Sequence, residues 1–244
     1  MGPKDKHYIS RGWRERKSPH SLTHSPSHTS RSLNNMAQTI PLPLSGIEHG
    51  KRILASVVET RARDGPESTW VSVPIDNEDL SRGFKDISFQ QLNNAANHAA
   101  RWLGEHLPGT SEPFQCFAYA GPKDFRYPIL AVAAAKIQKV MVLPSPLVTA
   151  EAQLRILENK RCTVYLRPSS MASQVDAILR EAPRIQAVEV PEIDEFMRED
   201  EAVPYSYGKT WEEGKDDPWL VFHTSGTTGP YMHHIQIFLH WNAC

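Results

Sequence analysis

The chain has 244 residues, 40% of them hydrophobic, with 27 basic residues against 28 acidic ones and a net charge of −1. That length and apolar content suffice for a buried core, and the balanced charge excludes the strong field of a nucleic-acid-binding protein. No apolar run approaches the roughly twenty residues of a membrane span, so neither nucleic acid nor membrane is an expected partner.

Residues 1–35 carry seven Lys or Arg, two acidic residues, seven serines and four histidines, with few aliphatic side chains. Such a stretch buries too little surface to offset its ordering entropy, so residues 1–36 read as a disordered basic leader. A mitochondrial transit peptide shares this composition, but no Arg-faced amphipathic helix is visible. Met36 offers a natural start, and a leader without function is the preferred reading. His7, His20, His24 and His28 are irregularly spaced and suggest no metal site.

A globular pattern begins at residue 37. Phe89, Leu92, Ala96, Ala99, Leu103 and Leu107 recur at helical spacing. Ser88 with Gln91 makes a capping-box signature, and Pro108-Gly109 ends the helix. "FQCFAYA" (114–120) reads as a buried strand. A helix follows through "DFRYPILAVAAAK" (124–136), which Pro128 should kink or shift. "KVMVLPSP" (139–146) is a strand with a Pro-rich corner, "AEAQLRILENK" (150–160) a helix and "CTVYLRP" (162–168) a strand. "SQVDAILREAP" (173–183) is a helix, "IQAVEV" (185–190) a strand, and "DDPWLVFHT" (216–224) the last strand of the series. This alternation predicts an α/β fold with right-handed crossovers, a mostly parallel sheet and flanking helices. "KVMVLP" and "IQIFLHW" are hydrophobic enough to suggest exposed strands at an open sheet edge.

Three cysteines, Cys116, Cys162 and Cys244, are far apart and leave one unpaired in any disulfide scheme. They fit buried or incidental thiols in a reducing, cytoplasmic compartment. Gly208-Lys209-Thr210 imitates the end of a phosphate-binding P-loop, but Val203 stands where that loop needs its first glycine. An ordinary turn is expected there. His223 lies two residues before Ser225, yet no GxSxG surrounds that serine, so no hydrolase nucleophile is expected.

The segment "FHTSGTTGP" (222–230) follows the apolar "WLVF" directly. Gly226 and Gly229 let a backbone turn and present successive N–H groups, while Thr224, Ser225, Thr227 and Thr228 add hydroxyl donors. Together, at a strand end, they point to phosphate binding; the alternative is a flexible polar linker.

"TSGTTG" resembles the signature loop of the adenylate-forming superfamily, which includes acyl-CoA synthetases and peptide-synthetase adenylation domains. "ISFQQLNNAANHAARWL" is similar to the family's early helix, and "FAYAGPKDFRYPILAVAAAKIQKVMVLPSP" to its strand–helix–strand unit. "DDPWLVFHTSGTTG" looks most like the fungal adenylate-forming reductases related to peptide synthetases. The likeness covers roughly residues 47–230. It implies that Thr224, Ser225, Gly226, Thr227, Thr228 and Gly229 bind the phosphates of ATP, with Mg2+ expected in the full-length enzyme. A carboxylic acid would be the second substrate, and an acyl-adenylate with pyrophosphate the products. Carrier and reductase domains would lie further along in full-length relatives. No catalytic residue and no metal ligand is assigned within these 244 residues.

Two departures stand out. Such enzymes usually have a glycine after the helix where this chain has Ile137-Gln138, and the family's Pro-Lys is replaced by Tyr231-Met232 after Pro230. Residues 231–244, "YMHHIQIFLHWNAC", match nothing expected of the family, although the alternation in "HHIQIFLHW" suits a strand. His233, His234 and His240 lack a suitably spaced partner for a metal site. The expected organisation is therefore a leader (1–36), a partial N-terminal adenylation subdomain (37–230) and an aberrant tail (231–244). An altered reading frame or retained intron is the expected cause, and the chain alone is expected to be inactive. A non-catalytic nucleotide- or acyl-binding module is the alternative, followed by an unrelated α/β protein.

Overall fold

The computed structural model describes residues 50–76, 78–109 and 112–223, together with the backbone of residues 234–238. Every described residue belongs to one compact unit within Leu42–Cys244. The expected leader (1–36) lies outside the described residues.

Helix α1 (Leu54–Asp64) opens the fold, turning Ala55 and Val58 inward, and is followed by an antiparallel hairpin of β1 (Thr69–Pro74) and β2 (Phe84–Ser88). Asp86 accepts the Thr69 and Ser72 hydroxyls across the hairpin. Helix α2 (Phe89–His106) then starts where its sequence signature places it. Gln91 N–H donates to the Ser88 hydroxyl at 3.2 Å, and Ser88 N–H donates to the Gln91 side chain at 2.9 Å.

The main sheet runs in the order β6-β5-β3-β4-β7-β8. Strands β3 (Cys116–Tyr119), β4 (Val140–Val142), β5 (Val164–Arg167), β6 (Gln186–Glu189) and β7 (Pro218–His223) are mutually parallel, and β8 (His234–Phe238) runs antiparallel to β7. The strand suggested by "HHIQIFLHW" is therefore present and lies at the sheet edge. "KVMVLP" is not an edge: β4 sits between β3 and β7, where a continuous apolar run is buried on both faces.

Alternation along the strands divides two cores. Phe117, Tyr119, Met141, Leu166 and Leu220 face α2 and helix α3 (Arg126–Lys136). Ala118, Val140, Val142, Tyr165 and Val221 face α4 (Ala150–Asn159) and α5 (Ala172–Leu179). The result is a helix–sheet–helix sandwich. Pro128 does not kink α3. The helix begins two residues earlier, which leaves Pro128 in the first turn, where no backbone donor is needed.

Both α3 and α4 end without glycine. Gln138 (φ +55°) and Arg161 (φ +52°) hold the left-handed position that closes each helix. Lys139 N–H reaches Ala134 O and Gln138 N–H reaches Ala135 O, while Cys162 and Arg161 repeat the pattern on Leu157 and Glu158.

The segment from Met197 to Thr210 has little regular structure, apart from the approach to the short helix Trp211–Gly214, and borrows its hydrogen bonds from α2. Asn94 donates to Asp200 O and accepts Ala202 N–H at 2.8 Å, and His98 Nε2 lies 3.0 Å from Asp200 O. Buried backbone groups of an irregular strap must be satisfied by side chains, and the polar side of α2 does this. Within the strap, Gly208-Lys209-Thr210 is irregular backbone leading into that short helix, not the turn expected of it. Lys209 pairs with Asp217 and lies 4.9 Å from the centre of the Phe114 ring, while Thr210 N–H and hydroxyl donate to Glu213.

Candidate active site

Parallel strands bring their carboxyl ends to one edge, so Tyr119, Val142, Arg167 and His223 all lead into loops on the same side of the sheet. Open α/β sheets bind ligands at this edge, where neighbouring strands send their connections in opposite directions. Strand β5 leads outward to β6 while its neighbour β3 leads to β4. Strand β4 leads back across the sheet to β5 while its neighbour β7 leads to β8.

The β3–α3 loop is rigidly built. Gly121 N–H donates to the Tyr127 hydroxyl at 3.2 Å, and that hydroxyl donates to Gly121 O at 3.1 Å. Beneath it the Tyr119 ring packs edge-on against Tyr127, with centroids 4.9 Å apart. Arg126 is buried, and its guanidinium meets both carboxylate oxygens of Asp124 together with Glu192 and Pro191 O. Burial opposes the Arg126 charge, but Asp124 outweighs it and the net shift is upward. This pairing fixes where the loop enters α3.

The β4–α4 corner is tied to the end of β7. Leu143 N–H donates to Val221 O at 3.0 Å, and Ser145 N–H donates to His223 Nε2 at 2.7 Å. Ser145 also caps its own turn by accepting Leu147 N–H, and Thr149 caps α4 by accepting Ala152 N–H. His223 Nε2 is occupied as an acceptor, which agrees with the expectation that His223 is not the base of a hydrolase.

Trp219, two strand positions before Val221, donates its indole N–H to Ala131 O at 2.6 Å and anchors β7 on α3. The strand that delivers the candidate loop is thus braced on both sides. Thr224, Ser225, Gly226, Thr227, Thr228 and Gly229 follow His223 in the chain and lie outside the described residues. Tyr231, Met232, His233 and residues 239–244 also lie outside them, and of His234 only the backbone is described.

Two cavities bear on ligand binding. Between Ala120, Pro144, Gln153 and Tyr165, at the carboxyl edge, the space is about 10 Å³, which admits a water at most. A groove of about 570 Å³ opens at the opposite edge, between Phe114, Cys116, Lys160 and Arg161. Its position at the strand beginnings sets it apart from the edge where such sheets bind ligands.

Sequence reasoning did not foresee the Ser145–His223 bond. A signal for it was present: Pro144 and Pro146 have no N–H, so Ser145 carries the one backbone donor of that corner.

The sequence model of a family described as AMP-binding enzyme matches residues 58–230. A carboxylic acid reductase of Neurospora crassa is 33% identical over 185 residues, covering 74% of this chain and 17% of the relative. An isocyanide synthase–NRPS hybrid of Aspergillus fumigatus is 29% identical over 187 residues, covering 76% of this chain and 12% of the relative. The chain therefore spans less than a fifth of these relatives. Among solved structures, the inhibitor-bound N-terminal domain of FACL13 from Mycobacterium tuberculosis aligns with a TM-score of 0.60 at 20% identity, over 77% of this chain and 44% of that one. The anthranilate CoA ligase AuaEII, solved with anthranoyl-AMP, aligns with a TM-score of 0.57 at 14% identity, over 77% and 34%. These likenesses show a shared fold.

Proposed function

The chain belongs to the AMP-binding enzyme family, and from that premise we propose that residues 37–230 form the nucleotide-binding part of an ATP-dependent, carboxylic-acid-activating fold. The observation that carries this reading is the placement of β7. It is an inner parallel strand, braced by Trp219 and His223, and its carboxyl end leads directly into "TSGTTG".

In this reading Thr224, Ser225, Thr227 and Thr228 donate hydroxyl hydrogen bonds to phosphate oxygens, and Gly226 and Gly229 allow the backbone N–H groups to approach them. The donor set is neutral and suits a polyphosphate whose charge is balanced elsewhere, by Mg2+ in the complete enzyme. ATP would supply an α-phosphorus open to attack by a carboxylate, with pyrophosphate leaving. The β3–α3 and β4–α4 loops keep the mouth of the sheet in shape while this happens.

The likeness to a carboxylic acid reductase and to an NRPS hybrid favours a free carboxylic acid as the second substrate, with carrier or reductase domains in longer relatives. Tyr231-Met232, standing where the family has Pro-Lys, favours a second reading in which this chain binds nucleotide or acyl groups without turnover. The first reading, and the nucleotide form of the second, require ATP to bind. Calorimetric titration of the 244-residue chain with Mg-ATP tests that requirement. Saturable binding that weakens in a Thr227→Ala/Thr228→Ala variant is expected, and the absence of any heat of binding to wild type would sink the proposal.

A further inference from the structure

We propose that His223 is a positioning residue of the nucleotide site, tying the β4–α4 corner to the end of β7 by replacing a backbone rung with its side chain. The inference rests on the nucleotide-binding reading given above. A parallel ladder advances two residues per rung. The rung Leu143 N–H to Val221 O, at 3.0 Å, should therefore be followed by Ser145 N–H to His223 O. Instead, Ser145 N–H meets His223 Nε2 at 2.7 Å. The regular ladder thus gives way to a side-chain bond one residue before the candidate loop.

The exchange is specific to this corner. Pro144 and Pro146 offer no N–H, so Ser145 supplies the one backbone donor of residues 144–146. Ser145 O also accepts Val148 N–H at 3.3 Å, and its hydroxyl accepts Leu147 N–H at 3.2 Å, so the same residue shapes the turn into α4. As an acceptor, Nε2 carries no proton, and the ring must hold its proton on Nδ1. One side chain thus ties the β4–α4 corner to the last residue of β7.

The test uses the full 244-residue chain as wild type, His223→Gln and His223→Phe. The glutamine carbonyl extends about as far as Nε2 and accepts a hydrogen bond, whereas phenylalanine fills the space without an acceptor. Mg-ATP affinity is read by calorimetry, and amide hydrogen exchange is read on the peptide spanning 143–149, with circular dichroism confirming the fold. His223→Phe is expected to lose about tenfold in affinity and the protection at Ser145, and His223→Gln to restore both to near wild type. Should the phenylalanine variant fail to fold, His223→Asn, polar but too short to reach Ser145, takes its place with the same expected losses. Wild-type affinity in the acceptor-free variant, or equal losses in the Gln and Phe variants, overturns the inference. If wild type binds no ATP, the nucleotide reading fails, and the positioning role fails with it. Exchange protection that follows the Gln and Phe pattern would then leave only a bond tying the corner to β7.

Discussion

The Lys136 ammonium lies 2.7 Å from the Glu59 carboxylate with 1% of the lysine side chain exposed, and the pair joins α3 to α1. The same nitrogen donates to Asn93 and Asn97 of α2 and to Tyr205 O in the strap, while Glu59 also accepts Tyr207 N–H. Burial lowers the Lys136 pKa and Glu59 works against that shift. Lys136→Ala is expected to destabilise by about 3–5 kcal/mol, because it strands a carboxylate and two amides in a poorly solvated site. The double variant Lys136→Met/Glu59→Gln should lose much less. Urea midpoints would measure both, and a single-variant loss under about 1 kcal/mol would contradict the network's role.

Gln138 makes the second prediction. It belongs to the Ile137-Gln138 pair that departs from the glycine expected by resemblance, and its φ of +55° lies where glycine is free of strain. A left-handed conformation costs an L-residue about 1–2 kcal/mol, part of which glycine returns as unfolded-state entropy. Gln138→Gly should therefore raise stability by about 0.5–1 kcal/mol, or a few degrees in Tm. Ile137→Gly, at φ −92°, should lower it. A melting curve for each decides the matter, and equal effects at the two positions would show that conformation at 138 is not limiting.

Gly121 responds in the opposite direction. A Cβ there would overlap the Tyr119 hydroxyl and lie 2.6 Å from ring carbon Cζ. Tyr119 is fully buried in the core of β3, so neither ring nor loop can yield freely. Gly121→Ala is expected to lose about 1–3 kcal/mol through overpacking. The paired variant Gly121→Ala/Tyr119→Phe removes the overlapping oxygen and should recover part of that loss. No recovery would place the strain in the backbone instead.

Stability should decline in alkaline solution. Burial pushes up the thiols of Cys116 and Cys162 and the phenols of Tyr119, Tyr165 and Tyr207. Their unfolded values are 9.0 for the thiols and 10.0 for the phenols. Each folded pKa exceeds its unfolded value, so the associated stability is complete below pH 9 and is lost as pH rises. Lys136 and Lys139 shift downward and act in the opposite sense below 10.5. Five groups outnumber two, so Tm should fall between pH 9 and 11. Tyr119→Phe, whose hydroxyl has no hydrogen-bond partner among the described residues, should flatten the slope. A Tm that rises over this range would show that the lysines dominate.

The βα alternation from Ser88 onward was legible because each strand is a short apolar run and each helix has periodic apolar positions with a cap or a stop. Pro128 misled only in degree, since a proline in a first turn is neutral and just the boundary was in question. The position of "KVMVLP" was not legible: a run buried on both faces looks the same whether central or at an edge until pairing is known. Helix α1 and the β1–β2 hairpin gave little signal. The hairpin mixes exposed Ile75, Leu80 and Phe84 with polar residues, and α1 buries only Ala55, Val58 and Thr60. The order of the strap was not legible because it comes from Asn94, Asn97 and His98, about a hundred residues away. The phosphate-binding reading of residues 224–229 rests on their chemistry alone, and these residues lie outside the described ones, whereas the His223–Ser145 bond depends on a register no local pattern encodes.

The last prediction concerns turnover: the 244-residue chain should bind ATP without forming acyl-adenylate at a measurable rate. Where the resemblance places a lysine after the loop, this chain has Met232, which offers no charge-assisted bond to phosphate. Such bonds contribute about 1.5–3 kcal/mol each. The chain spans 44% of a solved N-terminal domain and 17% of a carboxylic acid reductase. A neutral donor set by itself leaves phosphate charge poorly balanced and does not exclude water. If these losses together remove about 8 kcal/mol of transition-state stabilisation, the rate falls roughly a million-fold. Pyrophosphate exchange with Mg-ATP and a panel of aryl, fatty and amino acids reads this directly. Acid-dependent exchange above that of the Thr227→Ala/Thr228→Ala control would overturn the prediction, whereas binding without exchange is the expected pair of results.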